Sequence, residues 1–131
     1  MSQEDVDTVR ANYDAFNRGD VQTVLDSLDP EVEWIEPGGG AAPSGTFRGP
    51  DSVGREIFAR VPETFDEFTA EPDEFRDEGD RVVVTGRFRG RSKGGEELDA
   101  SFEHVNEIRD GKIVRFHNSV DQEAWAQGWG G

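Results

Sequence analysis

The spacing of apolar residues changes at Pro62, and this change constrains the fold more than any other feature of the sequence. Before Pro62, apolar residues recur every three or four positions, as in Val6, Val9, Tyr13 and Phe16, which predicts amphipathic helices. After Pro62, apolar and polar residues alternate, which predicts β-strands. Helices followed by a run of antiparallel strands indicate an α+β fold in which the helices cover one face of a curved sheet.

The first half of the chain is predicted to contain three helices, one strand and one long loop. Glycine, proline and helix-capping residues mark the boundaries between them. These elements are, in chain order, a helix ending at Gly19, a helix capped by Asp20 and ended by Asp29-Pro30, a strand over 31–36, a loop over 38–50, and a helix capped by Asp51 or Ser52 that ends at Pro62.

The second half is predicted to form four strands and a short terminal helix capped by Asp121. An irregular strand containing Phe75, preceded by a loop, comes first, and Asp110-Gly111 is a hairpin signal. The other strands cover 81–91, 97–108 and 113–120. Alternation assigns to one face, the inner one, the residues Leu98, Ala100, Phe102, His104, Asn106 and Ile108, together with Val114, Phe116, Asn118 and Val120.

Composition limits the classes of function. The chain has 29 acidic and 14 basic residues and a net charge of −15, which disfavours nucleic acid as a partner and favours a cytoplasmic protein adapted to high salt. The sequence contains no cysteine, which excludes disulfides and thiolate chemistry. No apolar run reaches membrane-spanning length, and the acidic N-terminus is unlike a signal peptide. We expect one domain over residues 1–131 and no membrane association.

Four segments of the chain resemble the SnoaL-like branch of the nuclear transport factor 2-like superfamily, which is related to ketosteroid isomerases and polyketide cyclases. These segments are 13–20 (YDAFNRGD), 30–34 (PEVEW), 45–53 (GTFRGPDSV) and 110–114 (DGKIV). The resemblance implies a conical α+β barrel with three N-terminal helices on a mostly antiparallel sheet. It also implies a pocket inside the cone for an apolar small molecule, and a homodimer formed through the outer face of the sheet.

The resemblance also implies roles for four residues. Glu36, before Pro37 at the end of the first strand, matches the proton-shuttling carboxylate of ketosteroid isomerases. Tyr13 lies near the oxyanion-hole tyrosine, and His104 replaces the protonated aspartate that supplies the second donor there. Asp121 is the candidate for the acid/base aspartate of the cyclase branch.

The residues themselves support a site around Glu36 and leave simpler interpretations open. Trp34 and Glu36 are two apart on a strand and so face the same side, where burial would raise the pKa of the carboxyl. His104 falls on the inner face, where Asn106 or Asn118 could orient it. Alternatively, Glu36 is a rim carboxylate, His104 lines a pocket, Tyr13 only packs in the core, and Asp121 only caps a helix.

Two functions follow as hypotheses. The first is an isomerase, cyclase or hydrolase that works by proton transfer, with Glu36 as base, His104 as acid or oxyanion donor and Tyr13 as supporting donor. The second is a noncatalytic ligand-binding or stress-associated module with the same pocket. Neither a metal nor an organic cofactor is expected. The residues expected to line the pocket are Trp34, Phe58, Phe102, Asn106, Phe116, Asn118 and Val120.

Overall fold

A curved six-stranded sheet packs its inner face against the helices, and the apolar core lies between them. The computed structural model describes residues 2–130, with side chains described from residue 3. The helices are α1 (Ser2–Asn17), α2 (Val21–Asp26), α3 (Pro50–Val53), α4 (Arg60–Thr64) and α5 (Gln122–Trp129). The strands are β1 (Leu28–Pro37), β2 (Ser44–Arg48), β3 (Phe65–Asp77), β4 (Arg81–Ser92), β5 (Glu97–Arg109) and β6 (Lys112–Val120).

The strands follow the order β2-β1-β6-β5-β4-β3. Every neighbouring pair is antiparallel except β1 and β6, which run parallel. The predicted α+β class with a mostly antiparallel sheet is therefore confirmed. Within the described part of the chain, the helices all lack the combination of length and apolarity that crossing a membrane requires.

Strand β1 is longer than the prediction of residues 31–36, because it extends back through Pro30 to Leu28. Proline has no N–H to donate to a neighbouring strand, so it is tolerated only where the ladder is interrupted. The pairing of β1 with β6 does shift register between Leu28 and Glu33. Beyond this shift, Val32, Trp34 and Glu36 alternate regularly toward the buried face.

The predicted loop over 38–50 is wrong in its second half, because residues 44–48 form β2 and pair with β1. Its first half carries Gly38, Gly39 and Gly40, which all adopt left-handed φ angles of 72°, 105° and 58°. Such angles strain residues that have a Cβ. The segment that these glycines form lies against α5, where the N–H of Ala41 donates to the carbonyl of Gly130 at 3.1 Å.

The third predicted helix is interrupted by a π-helical turn over 54–58, which lies between α3 and α4. Pro62 lies inside α4 instead of ending the helix, and its ring nitrogen has no hydrogen to donate to the carbonyl of Phe58 four residues earlier. Gly49 occupies the N-cap position that was predicted for Asp51 or Ser52. The predicted loop before β3 is also absent, because β3 begins at the residue that follows α4.

The C-terminal half otherwise matches the prediction. Alternate residues of β5 are buried, and Asp110 and Gly111 form the hairpin with φ angles of 52° and 77°. A bulge between Glu107 and Ile108 shifts the pairing with β6, so Ile113 is buried in the place predicted for Val114. These strands position the side chains of the candidate site described next.

Candidate functional site

The helices and the inner face of the sheet enclose a cavity with about 730 Å³ of empty volume, part of which is open to solvent. A concave, mostly apolar lining with a few polar groups is typical of small-molecule sites. Most of the lining is aliphatic or aromatic. The polar side chains in the lining are those of Asn12, Tyr13, Glu36, His104, Asn106 and Asn118.

Glu36 stands at the end of β1 with 7% of its surface exposed. Both of its carboxylate oxygens accept hydrogen bonds. The indole N–H of Trp34 donates to Oε2 at 2.5 Å, and the amide of Asn118 donates to Oε1 at 3.1 Å. Strand alternation brings Trp34 and Glu36 to the same face, and the parallel pairing of β1 with β6 brings Asn118 beside them.

His104 lies on β5 opposite Asn118 of β6 and is 2% exposed. The hydroxyl of Tyr13 is 2.6 Å from its Nδ1, and Oδ1 of Asn118 is 2.9 Å from its Nε2. The ring of Phe102 stacks on the imidazole with centroids 3.9 Å apart. Tyr13, His104, Asn118 and Glu36 therefore form one continuous hydrogen-bonded chain along the cavity wall.

The direction of this chain follows from the chemistry of its members. Because the Asn118 amide nitrogen donates to Glu36, its oxygen must accept the hydrogen of His104 Nε2. The neutral imidazole then has an unprotonated Nδ1, which accepts from the hydroxyl of Tyr13. Every hydrogen bond in the chain thus points toward Glu36, which receives the last one as an acceptor.

Burial raises the pKa of Glu36 from 4.5 to about 7, because a charged carboxylate loses its hydration inside the protein. The hydrogen bonds from Asn118 and Trp34 oppose that shift, since they stabilise the ionised form. The result is a carboxyl group that can both accept and release a proton near neutral pH, as a general acid–base group requires.

Burial has the opposite effect on His104 and lowers its pKa from 6.5 to about 3. The imidazole is therefore neutral near pH 7, in agreement with the tautomer that its hydrogen bonds select. Burial also raises the pKa of Tyr13 well above its ordinary value, which keeps the phenol protonated as a donor. The amide of Asn118 lies between His104 and Glu36 and hydrogen-bonds to both.

The structure brings most of the predicted site residues to one cavity. Three predicted residues lie elsewhere. Asp121 is exposed and caps α5 by accepting from the N–H of Ala124 at 3.3 Å. Phe102 of β5 and Val120 of β6 pair with each other and do not line the cavity. Those that line the cavity are Tyr13, Trp34, Glu36, Phe58, His104, Asn106, Phe116 and Asn118.

Two tryptophans of α5, Trp125 and Trp129, line the cavity but were not predicted as site residues. They are four positions apart and therefore share one face of the helix. A pair of large aromatic side chains at this spacing predicts a buried helix face, although nothing in the sequence says that this face meets the pocket. Among residues 3–130, no group of three or more histidines and carboxylates is arranged to hold a metal ion.

Comparison with known proteins identifies the family. The model for the SnoaL-like domain matches residues 9–116. A search of curated protein sequences finds no significant match.

Solved structures agree with the fold. An NTF2-like protein of unknown function from Burkholderia pseudomallei is 33% identical, with a TM-score of 0.88, and the match covers 96% of this chain and 97% of that one. TerC, co-crystallised with polyporic acid, is 31% identical, with a TM-score of 0.86 and coverage of 95% and 97%. A candidate polyketide cyclase from Sinorhizobium meliloti, 22% identical, has a TM-score of 0.71 and coverage of 86% and 94%, and shows likeness of fold alone. This chain belongs to the family of SnoaL-like domains and has the NTF2-like fold.

Proposed function

We propose that this protein catalyses proton transfer on an apolar, carbonyl-bearing small molecule, with Glu36 as the group that takes and returns the proton. The observation that carries the proposal is the position of Glu36, a buried carboxyl with a pKa of about 7 in the wall of an aromatic cavity. Proton transfer is most efficient when the pKa of the catalytic group is close to the working pH.

The hydrogen bonds to Glu36 suggest how the group would work. In the ionised form, Oε1 and Oε2 are held by Asn118 and Trp34, and either oxygen keeps a further lone pair for a substrate C–H. Removing that proton leaves negative charge on the substrate carbonyl oxygen, which needs a donor. Asn106 is suited to this role because it lines the cavity and its amide makes only a long 3.4 Å bond to the carbonyl of Val82.

His104 and Tyr13 take a positioning role in this proposal. Both nitrogens of His104 already have partners, and its neutral ring holds the Asn118 amide with the nitrogen toward Glu36. Turning that amide over would place its oxygen against the carboxylate. The chain from Tyr13 therefore favours the one orientation that stabilises ionised Glu36.

A binding module without catalysis is the second candidate, and one observation favours it. Both nitrogens of His104 and both oxygens of Glu36 already have protein partners, so the polar chain needs no substrate to satisfy it. Under this alternative the cavity would hold an apolar ligand unchanged. The co-crystallisation of TerC with polyporic acid supports a small organic occupant under either function.

Exchange of carbon-bound hydrogen separates the two candidates. We expect the protein to catalyse deuterium incorporation next to the carbonyl of 1-tetralone in D₂O, followed by ¹H NMR. The variant Glu36→Gln should lose about 10²–10⁴-fold of that activity, the usual contribution of a general base. The matched control is Glu33→Gln, which changes a carboxylate on the same strand that is paired with Arg48 outside the cavity.

Three outcomes decide between the candidates. Loss of exchange in Glu36→Gln alone supports proton transfer. Undiminished exchange in that variant contradicts the role of Glu36. Saturable binding of 1-tetralone without exchange in the wild type favours the binding module.

A further inference from the structure

The side-chain oxygen of Asn106 is an acceptor without a partner in the cavity wall. Asn106 lines the cavity and is 3% exposed. Its nitrogen donates to the carbonyl of Val82 at 3.4 Å, but within residues 3–130 its Oδ1 receives no hydrogen bond. Unlike the indole nitrogens of Trp125 and Trp129, Oδ1 is not sealed inside the protein, so a ligand in the cavity can reach it. Unpaired polar groups on buried residues are uncommon and call for an explanation.

The residues around Asn106 on the inner face do not supply the missing hydrogen. Val82 and Phe116 are its partners on the neighbouring strands, and their side chains are apolar. His104 and Ile108 lie before and after it on the same face of β5, and both nitrogens of His104 are already engaged. A water molecule at Oδ1 would find no further side-chain partner among these four neighbours, whereas a buried water usually makes about three hydrogen bonds. The donor is therefore expected from a ligand.

The bond to Val82 also fixes which way the Asn106 amide faces. Turning the amide over would place Oδ1 against the carbonyl oxygen of Val82, and two acceptors would then oppose each other. The amide nitrogen carries two hydrogens, so one remains after the bond to Val82. Asn106 thus offers the cavity a donor and an acceptor side by side. The matching ligand has an acceptor and a donor on adjacent atoms, as adenine has at N7 and N6 when an asparagine binds both.

We propose that Asn106 selects α-hydroxy ketones, with the ketone oxygen accepting from its amide N–H and the neighbouring hydroxyl donating to Oδ1. The inference rests on the proposed function, because it names the class of substrate on which Glu36 acts. A simple ketone engages the N–H alone and leaves Oδ1 without a partner. An ether oxygen in place of the hydroxyl sets two acceptors against each other.

The positions of Glu36 and Asn106 in the sheet suit one small substrate. Asn106 pairs with Phe116, which pairs with Trp34, and Glu36 lies two residues further along β1. Strand spacings of about 4.8 Å and a rise of about 3.3 Å per residue put the two Cα atoms about 12 Å apart. Both side chains line the cavity and take up part of this distance, which leaves room for a few substrate atoms between them.

The chemical step conserves the atoms of the substrate. Ionised Glu36 takes the hydrogen from the carbon that bears the hydroxyl, and the electron pair of the C–H bond moves onto the ketone oxygen. The product is an enediolate, whose charged oxygen accepts from the Asn106 N–H while its hydroxyl still donates to Oδ1. Return of the proton, or of a deuteron in D₂O, restores the ketone.

Three ketones of similar size test this selection. Next to the carbonyl, 2-hydroxy-1-phenylpropan-1-one bears a hydroxyl, 2-methoxy-1-phenylpropan-1-one bears a methoxy group, and propiophenone bears only hydrogen. Deuterium incorporation at that carbon is followed by ¹H NMR. Each enzymatic kcat/KM is divided by the rate constant for exchange of the same ketone by hydroxide, which removes differences in C–H acidity. We expect the normalised rate of the hydroxy ketone to exceed the other two about tenfold, the effect of one hydrogen bond.

Asn106→Leu removes both ends of the amide and keeps a side chain of similar size. The variant should exchange all three ketones at equal normalised rates, so that the tenfold preference for the hydroxyl disappears. Asn17→Leu is the matched control, because the Asn17 amide bonds the backbone of Ala70 at both of its ends and does not line the cavity. It should keep the preference.

The three ketones on the unmodified protein decide the question even if Asn106→Leu does not fold. Equal normalised rates in the wild type, or a preference that survives in Asn106→Leu, overturn recognition by Asn106 and leave the role of Glu36 intact. Exchange of 1-tetralone without exchange of the hydroxy ketone contradicts the substrate class alone. Absence of exchange with 1-tetralone and with all three ketones contradicts the proposed function as well.

Discussion

At the scale of single residues, the candidate site depends on a carboxyl and an imidazole whose pKa values move in opposite directions on burial. Glu36 becomes harder to ionise and His104 becomes harder to protonate. Both changes favour the neutral form, although the hydrogen-bonded chain between them stabilises the charged form of Glu36. The site is thus balanced near neutral pH, where a single proton alters its charge.

The two groups make opposite contributions to stability as pH changes. Below pH 4.5, Glu36 is protonated in both the folded and the unfolded state. Between pH 4.5 and 7 only the folded state keeps the proton, so the free energy of unfolding falls as pH rises. Between pH 3 and 6.5 the unfolded chain protonates His104 and the folded state does not, so the free energy of unfolding rises with pH. From pH 4.5 to 6.5 the two contributions cancel.

Glu36→Gln should remove this cancellation. With the contribution of Glu36 gone, that of His104 remains, and the variant should gain stability relative to the wild type by about 3 kcal/mol between pH 4.5 and 7. Urea denaturation across this range measures the difference. Glu33→Gln, an ion-paired carboxylate outside the cavity, should follow the wild type, and parallel curves for all three proteins would contradict a buried carboxyl of raised pKa.

The sequence predicted some of this residue-level arrangement. The alternation of polar and apolar residues on β5 is enough to predict that His104 lies on the inner face of the sheet. The two-residue spacing of Trp34 and Glu36 is enough to predict that both side chains lie on the same face of β1. The bridging role of Asn118 could not be predicted, because it depends on the pairing of β6 with both β1 and β5. That pairing is decided by contacts distant in sequence, which local patterns do not contain.

At the scale of elements, α5 is held by the segment that carries Gly38, Gly39 and Gly40. The side chain of Gln122 donates to the carbonyl of Gly38 at 2.9 Å, and a Cβ added at Gly40 would lie 2.8 Å from the carbonyl oxygen of Ala126. The structure thus shows close backbone contact between this segment and the helix that carries both cavity tryptophans.

Gly40→Ala should therefore destabilise the protein more than the backbone angle alone requires. The control is Gly19→Ala, where φ is also positive, at 83°, but a new Cβ meets nothing within 4 Å. We expect the control to lose about 1–2 kcal/mol from strain, and Gly40→Ala to lose about 1–3 kcal/mol more from overpacking against α5. Thermal and urea unfolding measure both losses, and equal losses would show that the contact with α5 is unimportant.

Elements were predicted well wherever their pattern is local and strong. The alternation of β4, β5 and β6 and the Asp110-Gly111 turn predicted the main hairpins correctly. Strand β2 was missed because its residues include Ser44 and Gly45, which favour turns, and only its pairing with β1 makes it a strand. The π-helical turn was missed because a helical pattern does not show how a helix accommodates Pro62.

At the scale of the whole molecule, we propose that the protein forms a homodimer through the outer face of the sheet. A row of paired positions crosses it from Ile35 through His117 and Val105 to Val83. Three of these four residues are aliphatic, and of these Ile35 and Val105 are partly exposed while Val83 is buried. Beside this row, Arg81 and Arg115 both pair with Glu107 across the strands. An apolar stripe beside charges of both signs can meet a second copy of itself around a two-fold axis.

Ionic strength should control both folding and this assembly. The exposed ion pairs contribute little each, so screening of the net charge of −15 should dominate the response to salt. We expect circular dichroism and light scattering to show a folded dimer in molar NaCl and loss of the dimer in dilute buffer. Full stability in dilute buffer would contradict adaptation to salt.

One substitution tests the location of the dimer contact. Val105→Glu places a charge in the middle of the stripe and should give a folded monomer in molar NaCl. Ser101→Glu, at an exposed position of the same strand outside the stripe, is the matched control and should remain a dimer. A dimer in both variants would place the contact elsewhere.

The chain from Tyr13 to Glu36 also has a consequence for how the protein folds. Tyr13 and His104 are 91 residues apart in sequence, and Asn118 and Glu36 are 82 residues apart. Contacts between such distant residues carry a large loop-closure entropy and slow the folding of domains that depend on them. Because β1 must join β6 before the chain of hydrogen bonds is complete, a nascent or partly folded polypeptide has the carboxylate without its partner Asn118. The candidate site is thus assembled only when the first and last strands have met.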